Sequence, residues 1–536
     1  MPEPYRESIE RRAARTATAS ANVADDLIRT ATRIPDAPAL VRGIIVWSYA
    51  RLLHEAASIA ARYQALGLEP GARVAIVVGN RPHHVAAWYG TLMAGGIVVD
   101  ISTVVGPNEW REILADAAPS MVVCDASVRD GLASVLPLDE RAVVVVAEDD
   151  VVEATVHAAD DPIATRAVGP DDAAALAYTS GTTGRPKGVV HTHRAIARQL
   201  DLLADLHRLS VGDYVYVAVP LFALHGFLPQ VASAVRGGAA VLLADKFAAA
   251  DFAATSRTHP ITYVTLSSPM LAGLLDLEPQ ERPDLAALRV ITIGGAPLSP
   301  ERRAEFEALV GVHVTQGYGM TEVLGVYVAD YGGAPYGSCG RQHPPTDPPL
   351  VVVLDDDTNM VPQGVVGELA VHRSCAMHEY WNDPHQTEQA FDGAWFRTGD
   401  IGRVDEDGFY FVMDRKKDVI IRGGFNIYSA EIERALSEHV TVAEAVVVAE
   451  PHQTLGEVPV AYVVLVDASD RDAVDLVSFA RAALGPIKAP SRIEVVGPEQ
   501  LPRNAIGKVL KRQLREMGPV RAMAEPLPPN GPGSAR

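Results

Sequence analysis

The chain has 536 residues, of which 48% are hydrophobic and 21% charged, and a formal net charge of -20. That length exceeds what one hydrophobic core serves and calls for at least two domains. The acidic balance excludes nonspecific binding to nucleic acid or to an anionic membrane surface, both of which need a basic face, while leaving room for a small anionic ligand in a local basic pocket.

The opening stretch MPEPYRESIERRAART carries charge with no apolar run behind it, so no signal peptide is expected. The three cysteines, Cys124, Cys339 and Cys375, are far apart and show neither disulfide nor metal spacing, which fits a reducing cytoplasm. Apolar runs such as AVVVVA (142–147) are too short to span a bilayer.

From about residue 70 the pattern alternates. RVAIVVGN (73–80) predicts a buried strand, and HHVAAWYGTLMAGG (83–96) a helix ending at Gly95 and Gly96. Further short apolar runs stand at 97–99, 120–124, 142–147, 241–244, 261–266 and 289–293, with helical segments between several of them. This predicts parallel sheets covered on both faces by helices. After about residue 345, proline-rich RQHPPTDPP gives way to crowded strand and turn signals through DEDGFYFVMD (405–414), a mostly β region. A separate unit follows. It has a predicted helix at 430–438 capped by Ser429, strands at 445–449 and 460–466, and an amphipathic helix at 473–484.

The fold class expected is therefore α/β. A large N-terminal domain (1–416) combines parallel-type sheets and helices with a β-rich subdomain. A small mobile α+β domain (417–518) follows, and the tail (519–536) reads as disordered by composition.

The stretch AYTSGTTGRPKGVVHTH (177–193) concentrates chemistry. Strand-like residues precede it and helix-like residues follow, and strand, glycine-rich turn, helix is one way to offer backbone amides to phosphate. Gly181, Gly184 and Gly188 permit close approach, Thr179, Ser180, Thr182 and Thr183 add hydroxyls, and Lys187 adds charge. It is no Walker motif, because Pro186-Lys187-Gly188 stands where Gly-Lys-Ser/Thr is required. A polar surface loop is the plainer alternative.

YTSGTTGRPKG closely resembles the signature of the adenylate-forming superfamily of acyl- and aryl-CoA ligases, nonribosomal adenylation domains and luciferases. PLFALHG (220–226), GGAPLS (294–299), GYGMTE (317–322), WFRTGD (395–400), DRKKDVIIRGGFNIYSAEIE (414–433) and LPRNAIGKVLKR (501–512) follow in the family's order. The resemblance implies ATP, Mg²⁺ and coenzyme A as cofactors, with the 179–188 loop on the β- and γ-phosphates. It puts Gly295, Ala296 and Pro297 on the adenine side, as well as Gly317 and Tyr318, the tyrosine stacking on the base. Thr321 would reach the α-phosphate and Glu322 hold Mg²⁺, while Asp400 binds ribose and Arg415 contacts the nucleotide. His225 would gate the acyl carboxylate, Lys417 act as hinge, Gly423 and Gly424 line the pantetheine path, and Lys508 serve as catalytic lysine. Taken singly, many of these have a bland reading: a core histidine, a solvated basic run, a turn aspartate.

Two positions depart from the family pattern: Asp100 where proline is usual, and Glu379 where glycine is usual. The function expected is an ATP-dependent acyl- or aryl-CoA ligase. The alternatives are a stand-alone enzyme loading a carrier-protein thiol, a member specialised for one half-reaction, and a degraded member kept as a binding scaffold. FALHGFLPQ, IGGAPL and GYGMTEVLGVYV contain no lysine or arginine, which predicts an apolar monocarboxylate rather than a dicarboxylate, since a buried second carboxylate needs a cation. No nucleic-acid partner and no membrane span are expected, and the chain could pair as a homodimer.

Overall fold

The computed structural model describes residues 22–136, 143–146, 165–179, 186–293, 300–324, 326–329, 332–335, 337–466, 476–504 and 507–517. The chain divides into two compact units, Met1–Lys416 and Lys417–Arg536.

Two sheets build the first unit. One runs Glu379–Tyr380, Lys187–Thr192, Ala173–Thr179, Ile97–Asp100, Arg73–Val77, Met121–Asp125, Val143–Val146. Its first three strands are antiparallel and the rest parallel. The larger sheet has a parallel half, from Pro38–Arg42 through Val290–Ile293 to Val314–Tyr318. At Val314–Tyr318 it turns antiparallel, continuing through Tyr327–Ala329, Gly340–His343, Phe409–Arg415, Trp395–Val404, Gly367–His372 and Val351–Leu354. The change of direction falls on the strand that ends at Tyr318, and a switch in a sheet's topology opens a crevice at its strand ends.

One apolar cluster joins the sheets. Val74, Ile76 and Val98 from the smaller and Leu40, Val215 and Val241 from the larger meet around Trp88 and Phe227. The two aromatic rings stack with centroids 4.5 Å apart. Burying a large apolar side chain contributes roughly 1.5–3 kcal/mol, so this seam holds the sheets in fixed relation. Phe227 heads a π-helical turn, Phe227–Ala232, directly after the short helix Leu224–Gly226 that carries His225.

In the second unit the strands Phe425–Ile427, Ile420–Arg422, Gly456–Leu465 and Val442–His452 pair antiparallel, with Arg492–Val495 parallel on Gly456–Leu465. Ile432, Leu436, Leu476 and Ala480 from two helices pack on Val447, Ala461 and Val463.

The structure corrects several sequence expectations. The helix predicted at 83–96 is Pro82–Met93: Pro82 occupies its first turn, where no amide is needed, and Gly95 follows at φ +77°. Ser429 does not cap its helix. It is the first helical residue, buried, and its hydroxyl accepts from Lys511 Nζ at 2.8 Å. The helix predicted at 473–484 is described as Leu476–Lys488, broken at Gly485 (φ +77°) and Pro486, while 471–475 lie outside the described residues. Asp100 leaves its strand regular. Its carboxylate is buried and faces His84 Nε2 at 3.3 Å. His84 Nδ1 lies 2.8 Å from the Val78 carbonyl, which can only accept, so that nitrogen carries the hydrogen and the other is left to the carboxylate. Glu379 pairs with Val190 on a strand edge, where no special backbone angle calls for glycine. Among the described residues no helix is long and apolar enough to cross a membrane.

Candidate active site

The glycine-rich stretch is not a strand-turn-helix. Lys187–Thr192 forms a strand antiparallel to Ala173–Thr179, with Thr179 opposite Lys187, and the helix begins only at His193. Val189 and Val190, β-branched and buried, favour the strand. Thr192 caps the helix by accepting from the Ala195 amide at 3.2 Å, so that helix end is spoken for and does not face the loop's own residues in sequence. Ser180, Gly181, Thr182, Thr183 and Gly184 lie outside the described residues, as do Gly295, Ala296 and Pro297. Gly188 is fixed by packing: a Cβ there would stand 2.7 Å from Leu176 Cδ1 and 3.0 Å from Trp381 Cβ.

Lys187 projects from the first residue of that strand, and its Nζ lies 5.2 Å from the centre of the Tyr380 ring. Tyr380 stands opposite Val189 on the neighbouring strand, which places it there. Its hydroxyl donates to Glu322 Oε1 at 3.1 Å. Burial, then the Glu322 charge, pushes the phenol above its usual pKa, so it remains a donor. A lysine from the glycine-rich hairpin and a carboxylate from the GMTE turn thus meet across one ring.

The turn itself is held from behind. Met377 N donates to the Glu322 carbonyl at 2.6 Å, and Val323 bridges to Ala376. His191, wholly buried on the Lys187 strand, places Nε2 2.7 Å from the Thr321 carbonyl. Burial pulls its pKa down to about 4, so the ring is neutral at pH 7, with its hydrogen on Nε2 where the carbonyl accepts.

A second group gathers at Asp400. The Tyr318 hydroxyl donates to Asp400 Oδ2 at 2.6 Å, and Arg415 Nε meets Oδ1 at 2.6 Å from the adjacent strand. Burial and then the Asp400 charge raise the Tyr318 phenol well above its ordinary range. Each carboxylate oxygen keeps a lone pair for a further donor. Gly317 pairs with Ala329 on the strand leading to Tyr318. His225 has an accessible edge, yet the surrounding protein disfavours its imidazolium and lowers its pKa.

In the second unit, Gly423 and Gly424 form a hairpin tip at φ +58° and +86°. Lys508 is exposed on a turn closed by an Arg503–Val509 bridge. Its amide donates to Asn504 Oδ1 at 2.9 Å, and Gly507 precedes it at φ +83°. Lys417 opens this unit. Tyr380 and His191 had no motif role to mark them. Tyr380 stood out only as half of an aromatic pair, and His191 only as one histidine among the donors after Lys187.

A cation and a carboxylate converge at one end of this arrangement, and a buried tyrosine, aspartate and arginine at the other. Such a site belongs to a two-unit enzyme that holds a nucleotide by its phosphates and its sugar. The chain is a member of the AMP-binding enzyme family. That family's model matches residues 27–381, and the model of the AMP-binding enzyme C-terminal domain matches 431–508. It is 31% identical over 526 residues to a long-chain-fatty-acid–CoA ligase of Bacillus subtilis (strain 168), covering 91% of this chain and 93% of the relative. It is 32% identical over 492 residues to the fatty acid–[acyl-carrier-protein] ligase ScoC of Streptomyces coeruleorubidus, covering 90% and 93%. Among solved structures, ATP-bound MatB from Rhodopseudomonas palustris superposes with a TM-score of 0.82 at 29% identity, covering 93% of this chain and 99% of that one.

Proposed function

We infer that this protein is an ATP-dependent acyl- or aryl-CoA ligase. A carboxylate oxygen attacks the α-phosphorus of ATP and pyrophosphate leaves. The thiol of coenzyme A then attacks the acyl carbon and AMP leaves. The observation that carries this reading is the meeting of Lys187 and Glu322 at Tyr380 within the unit that holds the Tyr318–Asp400–Arg415 group.

In the first step negative charge grows on the α-phosphate and the departing pyrophosphate, where fixed donors and cations act most strongly. Lys187 and the glycine-rich hairpin hold the outgoing phosphates. Thr321, positioned through its own carbonyl by His191, offers its hydroxyl to the α-phosphate. Glu322 suits Mg²⁺: one carboxylate with phosphate oxygens and water is a common ligand set for that ion, which would neutralise phosphate charge. Asp400 accepts from the ribose hydroxyls and Arg415 steadies that end. Gly295, Ala296, Pro297 and Tyr318 flank the base. His225 stands by the acyl carboxylate. Lys508 completes the site for adenylation, and rotation of the small unit about Lys417 replaces it with Gly423 and Gly424 for thiol attack.

The acid is an apolar monocarboxylate. Tyr318, Met320, Val323, Val326, Val328 and Val371 line an uncharged crevice beside the Thr321–Glu322 turn, and both curated relatives named above act on fatty acids. The ScoC resemblance keeps a carrier-protein thiol as a second acceptor to be tested. Cysteine usage favours a cytoplasmic location, and light scattering decides between a single chain and a homodimer. The deciding experiment offers a panel of fatty, aromatic and dicarboxylic acids with ATP, and either coenzyme A or a carrier protein. Pyrophosphate release and thioester mass are the readouts. Release with no thioester on either acceptor would defeat the ligase reading, and malonate or succinate showing the highest kcat/KM would defeat the apolar one.

A further inference from the structure

Glu368 belongs to no motif of the site, yet it is the most heavily bonded carboxylate near the boundary between the units. It lies on Gly367–His372, with its side chain 7% exposed. Its Oε2 accepts from Arg397 Nη2 at 2.7 Å, and its Oε1 from the Gly399 amide at 3.0 Å. Gly399 immediately precedes Asp400. The third donor is Lys416 Nζ, 3.3 Å from Oε2, which also meets Asp356 Oδ1 at 3.0 Å. Burial works against this carboxylate, but its donors outweigh the penalty and its pKa falls below the usual carboxylate range. It is therefore an ionised anchor at neutral pH.

Lys416 is the last residue of the first unit. The residue before it, Arg415, is tied to Asp400. On the far side, Asp418 is buried and paired with Arg515 inside the second unit. Residues 415 and 416 are thus fastened to the large unit and residue 418 to the small one, which leaves one residue, Lys417, between two anchored ends. A backbone pivot is the place where neighbouring residues stop being held.

We propose that Glu368 is a positioning residue that fastens Lys416 to the loop presenting Asp400, confining the interdomain pivot to Lys417 and keeping the ribose carboxylate in register with it. This rests on the reading that the small unit rotates during the reaction. The residue touches no reacting atom. It acts through Gly399 on one side and Lys416 on the other.

The test uses the full chain in a Cys339→Ser background, with spin labels on Ile44→Cys in the large unit and Val440→Cys in the small one, both fully or nearly fully exposed. Cys124 and Cys375 are buried. The distribution of label-to-label distances is recorded by double electron–electron resonance without ligands and with AMP. Lys416→Ala, at a half-exposed site, and Glu368→Gln should each raise the population outside the main distance peaks about fivefold, with the melting temperature of Lys416→Ala unchanged. Lys416→Arg, which keeps the cation, should restore the narrow distribution. An unchanged distribution in Lys416→Ala, or broadening matched by Lys416→Arg or by a fall in melting temperature, would overturn the proposal. The readout needs no turnover, so a failure of the ligase reading in the acid panel registers separately.

Discussion

His191 offers the sharpest check on how the site is held. It is fully buried, neutral, and its Nε2 donates to the Thr321 carbonyl at 2.7 Å. In His191→Leu the apolar volume is kept while the donor is lost, and the carbonyl loses the partner that sets the turn. Leaving such a group unpaired costs about 1–3 kcal/mol. If that energy serves to hold Thr321 for the α-phosphate, it is lost from the transition state, and adenylation slows roughly 5- to 150-fold. His191→Gln supplies an amide N–H in the same direction and should recover most of the rate. The assay is single-turnover pyrophosphate release, using the acid that reacts fastest in the panel, beside thioester formation from acyl-adenylate supplied ready-made. The loss should fall on the first step. Equal rates for the leucine and glutamine variants, or equal losses in both half-reactions, would refute the reasoning, since a mere packing role distinguishes neither.

Three further expectations can be measured on the same protein. Lys508→Ala should remove most ATP-dependent adenylation, on the order of 10²–10³ in rate for the loss of one such donor, while transfer from supplied acyl-adenylate to coenzyme A continues. Unchanged adenylation would contradict the role. Lys417→Pro, which fixes φ and removes an N–H, should slow thioester formation far more than first-turnover pyrophosphate release, and equal slowing would count against a pivot there. Acid should destabilise the large unit early. Burial lowers His191, His193 and His207 each to about 4. In the unfolded chain they bind protons near pH 6.5, so stability is fully present above that and is lost as pH falls toward 4. The loss is about 1.4 kcal/mol per pH unit for each, or about 4 for the three. Urea midpoints from pH 7 to 5 measure it, and a flat profile would show that these imidazoles are not buried as described.

The sequence by itself determined a good deal. Short apolar runs such as 261–266 became the strand Ile261–Leu266, because continuous β-branched residues in a covered sheet have few other places to go. The ordered stretches from YTSGTTGRPKG to NAIGKVLKR pointed to the family, since chemistry on a nucleotide fixes residue types locally. Tertiary structure alone decided how those stretches meet. Glu322 and Tyr380 are 58 positions apart, His191 and Thr321 are 130, and Tyr318 and Asp400 are 82. Each meeting depends on sheet register, such as Tyr380 opposite Val189 or Asp400 opposite Arg415, and register is set by the whole buried pattern of both strands rather than by either alone. The same cause undid the phosphate-loop expectation. Residues 187–192 read locally as the lead into a helix, but a partner strand at Ala173–Thr179 offered a full ladder and burial for Val189 and Val190, and a strand is what they form. Propensity is settled within a few residues. Pairing is settled by whatever the fold brings alongside.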